Sequence, residues 1–175
     1  MMPNPSKTKG SAWELEIATH LSELYSEHFM RTPSSGAYVG GSNTNRKLIM
    51  HESQIRNFKG DIIPGPSFPN LNIEAKSYKD FPFHQLFTGK PCKQLELWLG
   101  QLLEAAEPKD FNLLIIKVSR KGKYIVSPIG TTNLSNLRYI TYNSSRHGLW
   151  AFSNYDSFWA TNKGEVQQFS CNCNS

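Results

Sequence analysis

The residues from Lys59 to Lys76, KGDIIPGPSFPNLNIEAK, constrain this chain more than any other stretch. A short apolar run led by an aspartate, Gly60-Asp61-Ile62-Ile63-Pro64, is followed by a Pro/Gly-rich turn over residues 65–70. Residues 71–77 then alternate between apolar and polar, which is the period of a half-buried strand. The pattern predicts a β-hairpin. On its second strand Leu71, Ile73 and Ala75 point to one face and Asn72, Glu74 and Lys76 to the other, with Glu74 and Lys76 roughly 6.6 Å apart along the strand. Hydrolysis of a phosphodiester with a hard divalent ion needs carboxylate oxygens to hold the ion, a means of positioning water, and positive charge for the pentavalent phosphate. Asp61, Glu74 and Lys76 are groups of that kind. The plainer reading is a half-exposed strand with a solvated Glu/Lys pair, and an E-x-K triplet alone does not decide between them.

At 175 residues, 38% of them hydrophobic, the chain is long enough for one sizeable core and too short for two. The formal net charge is +5. Arg31, Lys59, Lys76 and Lys79 are among the basic residues gathered around the acidic motif, a balance that favours a polyanionic partner. Three cysteines, Cys92, Cys171 and Cys173, suit neither a disulfide framework nor a spaced zinc site and point to a reducing cytosol. The five histidines show no H-x-x-x-H spacing, which disfavours a zinc hydrolase. No apolar run approaches the length of a membrane span, and the first residues have no hydrophobic signal core. A soluble cytoplasmic protein is expected.

Residues 1–9 are polar and aperiodic and read as a flexible arm. From Ser11, a plausible N-cap, Trp13, Ile17, Leu21, Leu24 and Tyr25 recur at helical intervals to about Phe29. The same periodicity turns Glu14 inward and Glu16 toward water. A carboxylate near a buried face is costly unless paired, protonated or bound to metal. Glu14 has two readings of equal weight: a capping box reaching back to Ser11, or a functional acid. Beyond the hairpin, residues 78–87 are dense in aromatics and contain His84, either a base-stacking or interface segment or a loop packed over the core edge. A second helix follows Pro91, with Leu95, Trp98, Leu99, Leu102 and Leu103 as its apolar stripe and Gln94 and Gln101 on one edge. Phe111–Ser119 and Tyr124–Pro128 read as a strand pair joined by a basic turn at the sheet's centre. Residues 139–142 and 149–152 add short aromatic strands.

The segments KGSAWELE, RTPSSG, GDIIPG and NIEAKS, then a glutamine-bearing amphipathic helix and NLLIIKVSRKGKYIVSPI, resemble in order the archaeal-type Holliday-junction resolvases of the PD-(D/E)xK nuclease superfamily. The resemblance covers about residues 9–130. It implies an α/β fold with a restriction-endonuclease-like core, a mixed, mainly antiparallel sheet flanked by helices. Residues 10–130 would form that core and residues 131–175 a β-rich extension packed on the same domain. It also implies Asp61, Glu74 and Glu14 as ligands of Mg²⁺, which Mn²⁺ can replace. Lys76 would be the motif lysine, and Ser35 and Arg31 would act at the scissile phosphate. Lys59, Lys79 and Gln101 complete the expected DNA contacts, and a homodimer nicking four-way junctions symmetrically is the implied activity. Two departures stand out: Gly60 replaces the proline that usually precedes the aspartate, and Leu15 replaces an arginine that commonly follows the helix glutamate. The rival readings are another nuclease of the superfamily acting on duplex, flap or single-stranded DNA, and a non-catalytic nucleic-acid-binding protein.

Overall fold

The computed structural model describes residues 5–33 and 59–171. The elements run α1 (Pro5–Tyr25), β1 (Met30–Arg31), β2 (Ile62–Ile63), β3 (Leu71–Tyr78), a 3₁₀ turn (Phe83–Phe87), α2 (Lys93–Glu104), β4 (Phe111–Val118), β5 (Gly122–Pro128), β6 (Tyr139–Ser144), β7 (Gly148–Asn154) and α3 (Tyr155–Ser170). Five strands form one mixed sheet in the order β3-β4-β5-β7-β6, while β1 and β2 pair separately. Only β3 and β4 are parallel; the other three pairings in the large sheet are antiparallel. The crossover between the parallel strands runs through α2, as a parallel pair requires.

Strand alternation decides which helix lies on which face. Ile73, Leu113, Ile115 and Ile125 pack against Trp13, Ile17 and Leu21 of α1 and Tyr155, Phe158 and Trp159 of α3. Their neighbours Leu114, Ile116, Val118 and Val126 face the other way, onto Leu95, Trp98, Leu99 and Leu102 of α2. The result is three layers, helix on sheet on helix. β4 is buried along most of its length because both faces are covered.

Several expectations are corrected. The helix expected from Ser11 begins at Pro5, within the stretch read as a flexible arm, so Ser11 lies inside α1 and caps nothing. The predicted hairpin over residues 60–77 is not a ladder. β2 pairs antiparallel with β1, Arg31 opposite Ile62, while β3 takes β4 as its partner. β3 is therefore an edge strand of the large sheet, met on its outer side by the segment around Asp61. The residues beyond 130 contribute two of the five strands and a 16-residue helix that the sequence reading did not foresee. Asn154 caps that helix, its side chain accepting from the Ser157 amide. Cys92 is a buried free thiol and Cys171 is disulfide-bonded. No described helix is long and apolar enough to cross a membrane.

Because β7 separates β5 from β6 and α3 seals one core, a chain ended at residue 130 should have no cooperative thermal transition by circular dichroism. In the full chain Trp159→Ala should cost about 3–5 kcal/mol in denaturant unfolding. A truncated chain that melts sharply would show that residues 131–175 are dispensable to the fold.

Candidate active site

Asp61 is held from two sides. Its amide donates to the Ile73 carbonyl (2.8 Å), and its carboxylate Oδ2 accepts from the Ala75 amide (2.8 Å). These bonds lay the aspartate along the free edge of β3, level with Glu74 and Lys76. Its own carbonyl accepts from the Thr32 amide (2.9 Å), tying in β1. Gly60 makes the approach possible: its φ is +65°, and a Cβ there would be driven into the Ile73 carbonyl oxygen. A proline, locked near φ −65°, cannot adopt this conformation. The glycine that departs from the resolvase pattern is thus a requirement of this backbone.

Glu14 reaches the same place from α1. Its Oε2 accepts from Arg31 Nε at 2.6 Å, and Arg31 sits on β1 beside Ile62, one residue from Asp61. With the capping box removed and this ion pair in place, Glu14 stands among the motif acids. Lys76 Nζ donates to Glu74 Oε1 at 2.5 Å, both side chains being mostly buried. Burial pushes the Asp61 carboxyl up to about 7; the charges of Glu74 and Glu14 add to the rise, while the Ala75 amide and Lys76 oppose it. Those couplings put Glu14, Glu74 and Lys76 within electrostatic reach of Asp61, although up to 62 positions separate the four in the chain.

Other expected contacts fall elsewhere. Lys59 forms a buried ion pair with Asp110, its side chain 7% exposed and that of Asp110 1%. It fastens the segment before Asp61 to the start of β4 and is not placed to meet a phosphate. Gln101 lies exposed on α2, lining a cleft with Ser145, Arg146 and His147 of the β6–β7 turn. That is the edge of the sheet opposite β3, so it does not join the site. Gln94 lines a cleft with Asp80, Phe83 and His84. Lys79 is exposed just past the end of β3. Ser35 lies outside the described residues.

The sequence reading missed Asp110 as the partner of Lys59. Its only local signal is a lone acid immediately before a strongly apolar strand. It also missed that Arg31 serves Glu14.

Two outcomes follow from this geometry. Gly60→Ala forces a Cβ into the β3 backbone at a left-handed φ and should destabilise the protein by at least about 1–2 kcal/mol, measured by chemical denaturation. Asp61 binds its proton more tightly folded than unfolded, where its value is near 3.8. Its contribution to stability is therefore full below about pH 4 and is lost as pH rises through about 7. Asp61→Asn keeps an acceptor for the Ala75 amide without the charge. In chelator it should melt higher than the natural protein at pH 8, the gap closing toward pH 4. Melting curves that stay parallel across that range would contradict the placement of the charges.

The family profile described as "Phage putative PDDEXK endonuclease" matches residues 5–160, from the start of α1 into α3 and including Glu14, Asp61, Glu74 and Lys76. Neither a curated protein nor a solved structure matches the chain. With nearly nine-tenths of its length inside the match, the chain belongs to this family of PD-(D/E)xK endonucleases.

Proposed function

We propose that the protein is a divalent-metal-dependent DNA endonuclease, and that its substrate is branched DNA, four-way junctions first, cut by a homodimer. The observation that carries the hydrolytic reading is the meeting of Asp61, Glu74 and Lys76 with Glu14 at the free edge of β3. The donor set is three carboxylates, the hard oxygen ligands that Mg²⁺ and Mn²⁺ take. Among the described residues no three acidic, histidine or cysteine side chains are grouped closely enough to hold an ion as they stand. Instead Arg31 occupies Glu14 and Lys76 occupies Glu74. The charge pressure on Asp61 is what a dication relieves. Asp61 and Glu74 would hold the ion, with Glu14 contributing to it or to a second one. When bound, the ion supplies positive charge against the developing pentavalent phosphate and acidity to water.

The chain's own groups do the positioning. The Ala75 amide fixes the Asp61 carboxylate, so one acid is in place before substrate arrives. Lys76 Nζ donates to Glu74 Oε1, and from there it orients the attacking water or balances the added negative charge. Arg31, 37% exposed at its side chain, can turn from Glu14 to the phosphate, and Ser35 is the expected second contact. The junction substrate and the dimer are supported by the ordered motifs shared with archaeal-type resolvases. A two-fold pair is the simplest way to bring two sites to opposed strands. Leu15, exposed beside Glu14 where those resolvases commonly carry arginine, is the feature that favours a different DNA substrate.

The test is cleavage of labelled four-way junctions and linear duplex in magnesium, with light scattering for the mass in solution. Asp61→Asn and Lys76→Ala should each lose at least ~100-fold in cleavage, while DNA binding persists. Magnesium should raise the melting temperature of the natural protein and not that of Asp61→Asn. Wild-type rates in either variant would remove that residue from the mechanism. A monomer cutting duplex as readily as junctions would leave a nuclease with a different substrate.

A further inference from the structure

The end of the sheet next to the motif lysine carries a ridge of positive charge. Lys76 lies opposite Ile116 in the β3–β4 register, and two residues further on β4 ends and the chain turns through Ser119, Arg120 and Lys121 into β5. The turn is bolted to β3, since the Ser119 amide donates to the Tyr78 carbonyl (2.9 Å). It is also braced internally: the Lys121 amide donates to the Val118 carbonyl (3.0 Å) and the Tyr124 hydroxyl to the Lys121 carbonyl (2.7 Å). Arg120 holds the left-handed φ of +61° at the tip, with its side chain exposed.

Around this turn stand Lys79, Lys117, Arg120, Lys121 and Lys123, five cations, against two acids, Asp80 and Glu16. Lys121 pairs with Asp80, while Lys117 and Lys123 share Glu16. Lys79 and Arg120 have no ion-pair partner among the described residues. The Lys121–Asp80 pair is largely solvent-exposed, so exchanging the carboxylate for a phosphate costs little. Lys117 and Val118 carry β4 about 7 Å past the level of Lys76, and the turn sets Arg120 beyond them. On duplex DNA that strand length alone is roughly two phosphates of one strand at about 3.4 Å of axial rise each.

We propose that this ridge is a binding surface for the nucleic-acid backbone, with Lys79, Arg120 and Lys121 contacting phosphates a few nucleotides from the bond being cut. It rests on the nuclease reading and adds the direction in which the polymer leaves the site, along the C-terminal ends of β3 and β4. The contacts are to phosphate alone, so they contribute affinity and register without sequence preference.

The experiment measures binding of labelled linear duplex and labelled four-way junction by fluorescence anisotropy across a sodium chloride series, in the Asp61→Asn background that blocks cleavage. Removing two phosphate contacts with Lys79→Ala/Arg120→Ala should weaken binding and flatten the slope of log Kd against log salt by about 1.8. The control is Arg138→Ala/Arg146→Ala, two exposed cations at the β6 edge across the sheet, which removes the same net charge and should leave the slope unchanged. An unchanged slope in the ridge variant, or an equal loss in the control, overturns the ridge while the nuclease reading stands. Failure of the Asp61→Asn protein to bind any DNA overturns both.

Discussion

The two hydrogen bonds that fasten Asp61 to the edge of β3 are the constraint on which the site depends. One is main chain to main chain, from the Asp61 amide to the Ile73 carbonyl; in the other the Ala75 amide donates to the Asp61 carboxylate. Together they set both where the aspartate sits and which way it points. An edge strand ordinarily exposes unpaired amides. Here one of those amides becomes the anchor of an acid. The conformation that permits this belongs to Gly60 alone, and the buried Lys59–Asp110 pair holds the approach to it from behind. Breaking such a pair on one side strands a buried charge, so Lys59 matters to the site through Asp61 without touching a substrate.

Charge is the second organising factor. Burial raises the Asp61 carboxyl, and the charges of Glu74 and Glu14 add to the rise. Arg31 and Lys76 each take one of the remaining carboxylates, which lets the fold hold the cluster together. Those cations come from β1 and β3, the elements that also position the acids, so the electrostatic balance and the strand pairing are one arrangement.

What could be read from the residues and what could not divides along physical lines. The period-two run at Leu71–Ser77 and the apolar run at Phe111–Val118 made strands, and the stripe from Leu95 to Leu102 made a helix, because each pattern is set by burial on a sheet or helix face. The partner of β3 was not legible: alternation fixes which side chains face inward but not whether the neighbour is the preceding segment or one 40 residues later. The helical start at Pro5 lacks apolar periodicity and so left no signal. Glu14 was ambiguous because its choice between a cap and a remote arginine is tertiary. Lys59 looked like a surface cation because nothing local announces a buried partner 51 positions away. The third helix went unread because its sequence is polar on one side and broken by Gly164, its helicity coming from burying Tyr155, Phe158 and Trp159.

The residues beyond 130 bear on the site although none of those described enters it. β7 and β6 extend the sheet away from β3, and α3 shares one core with α1, the helix that carries Glu14. Trp13, one residue before Glu14, packs its ring against Tyr155 at the start of α3, at a centroid separation of 5.8 Å. The height and rotation of α1 over the sheet are therefore set partly from the C-terminal third of the chain. The distance from Glu14 to Asp61 depends on that packing as well as on α1 itself. The nuclease motifs and the part of the chain with no recognisable motif thus form one mechanical unit, with the core on the α1 face as the link between them.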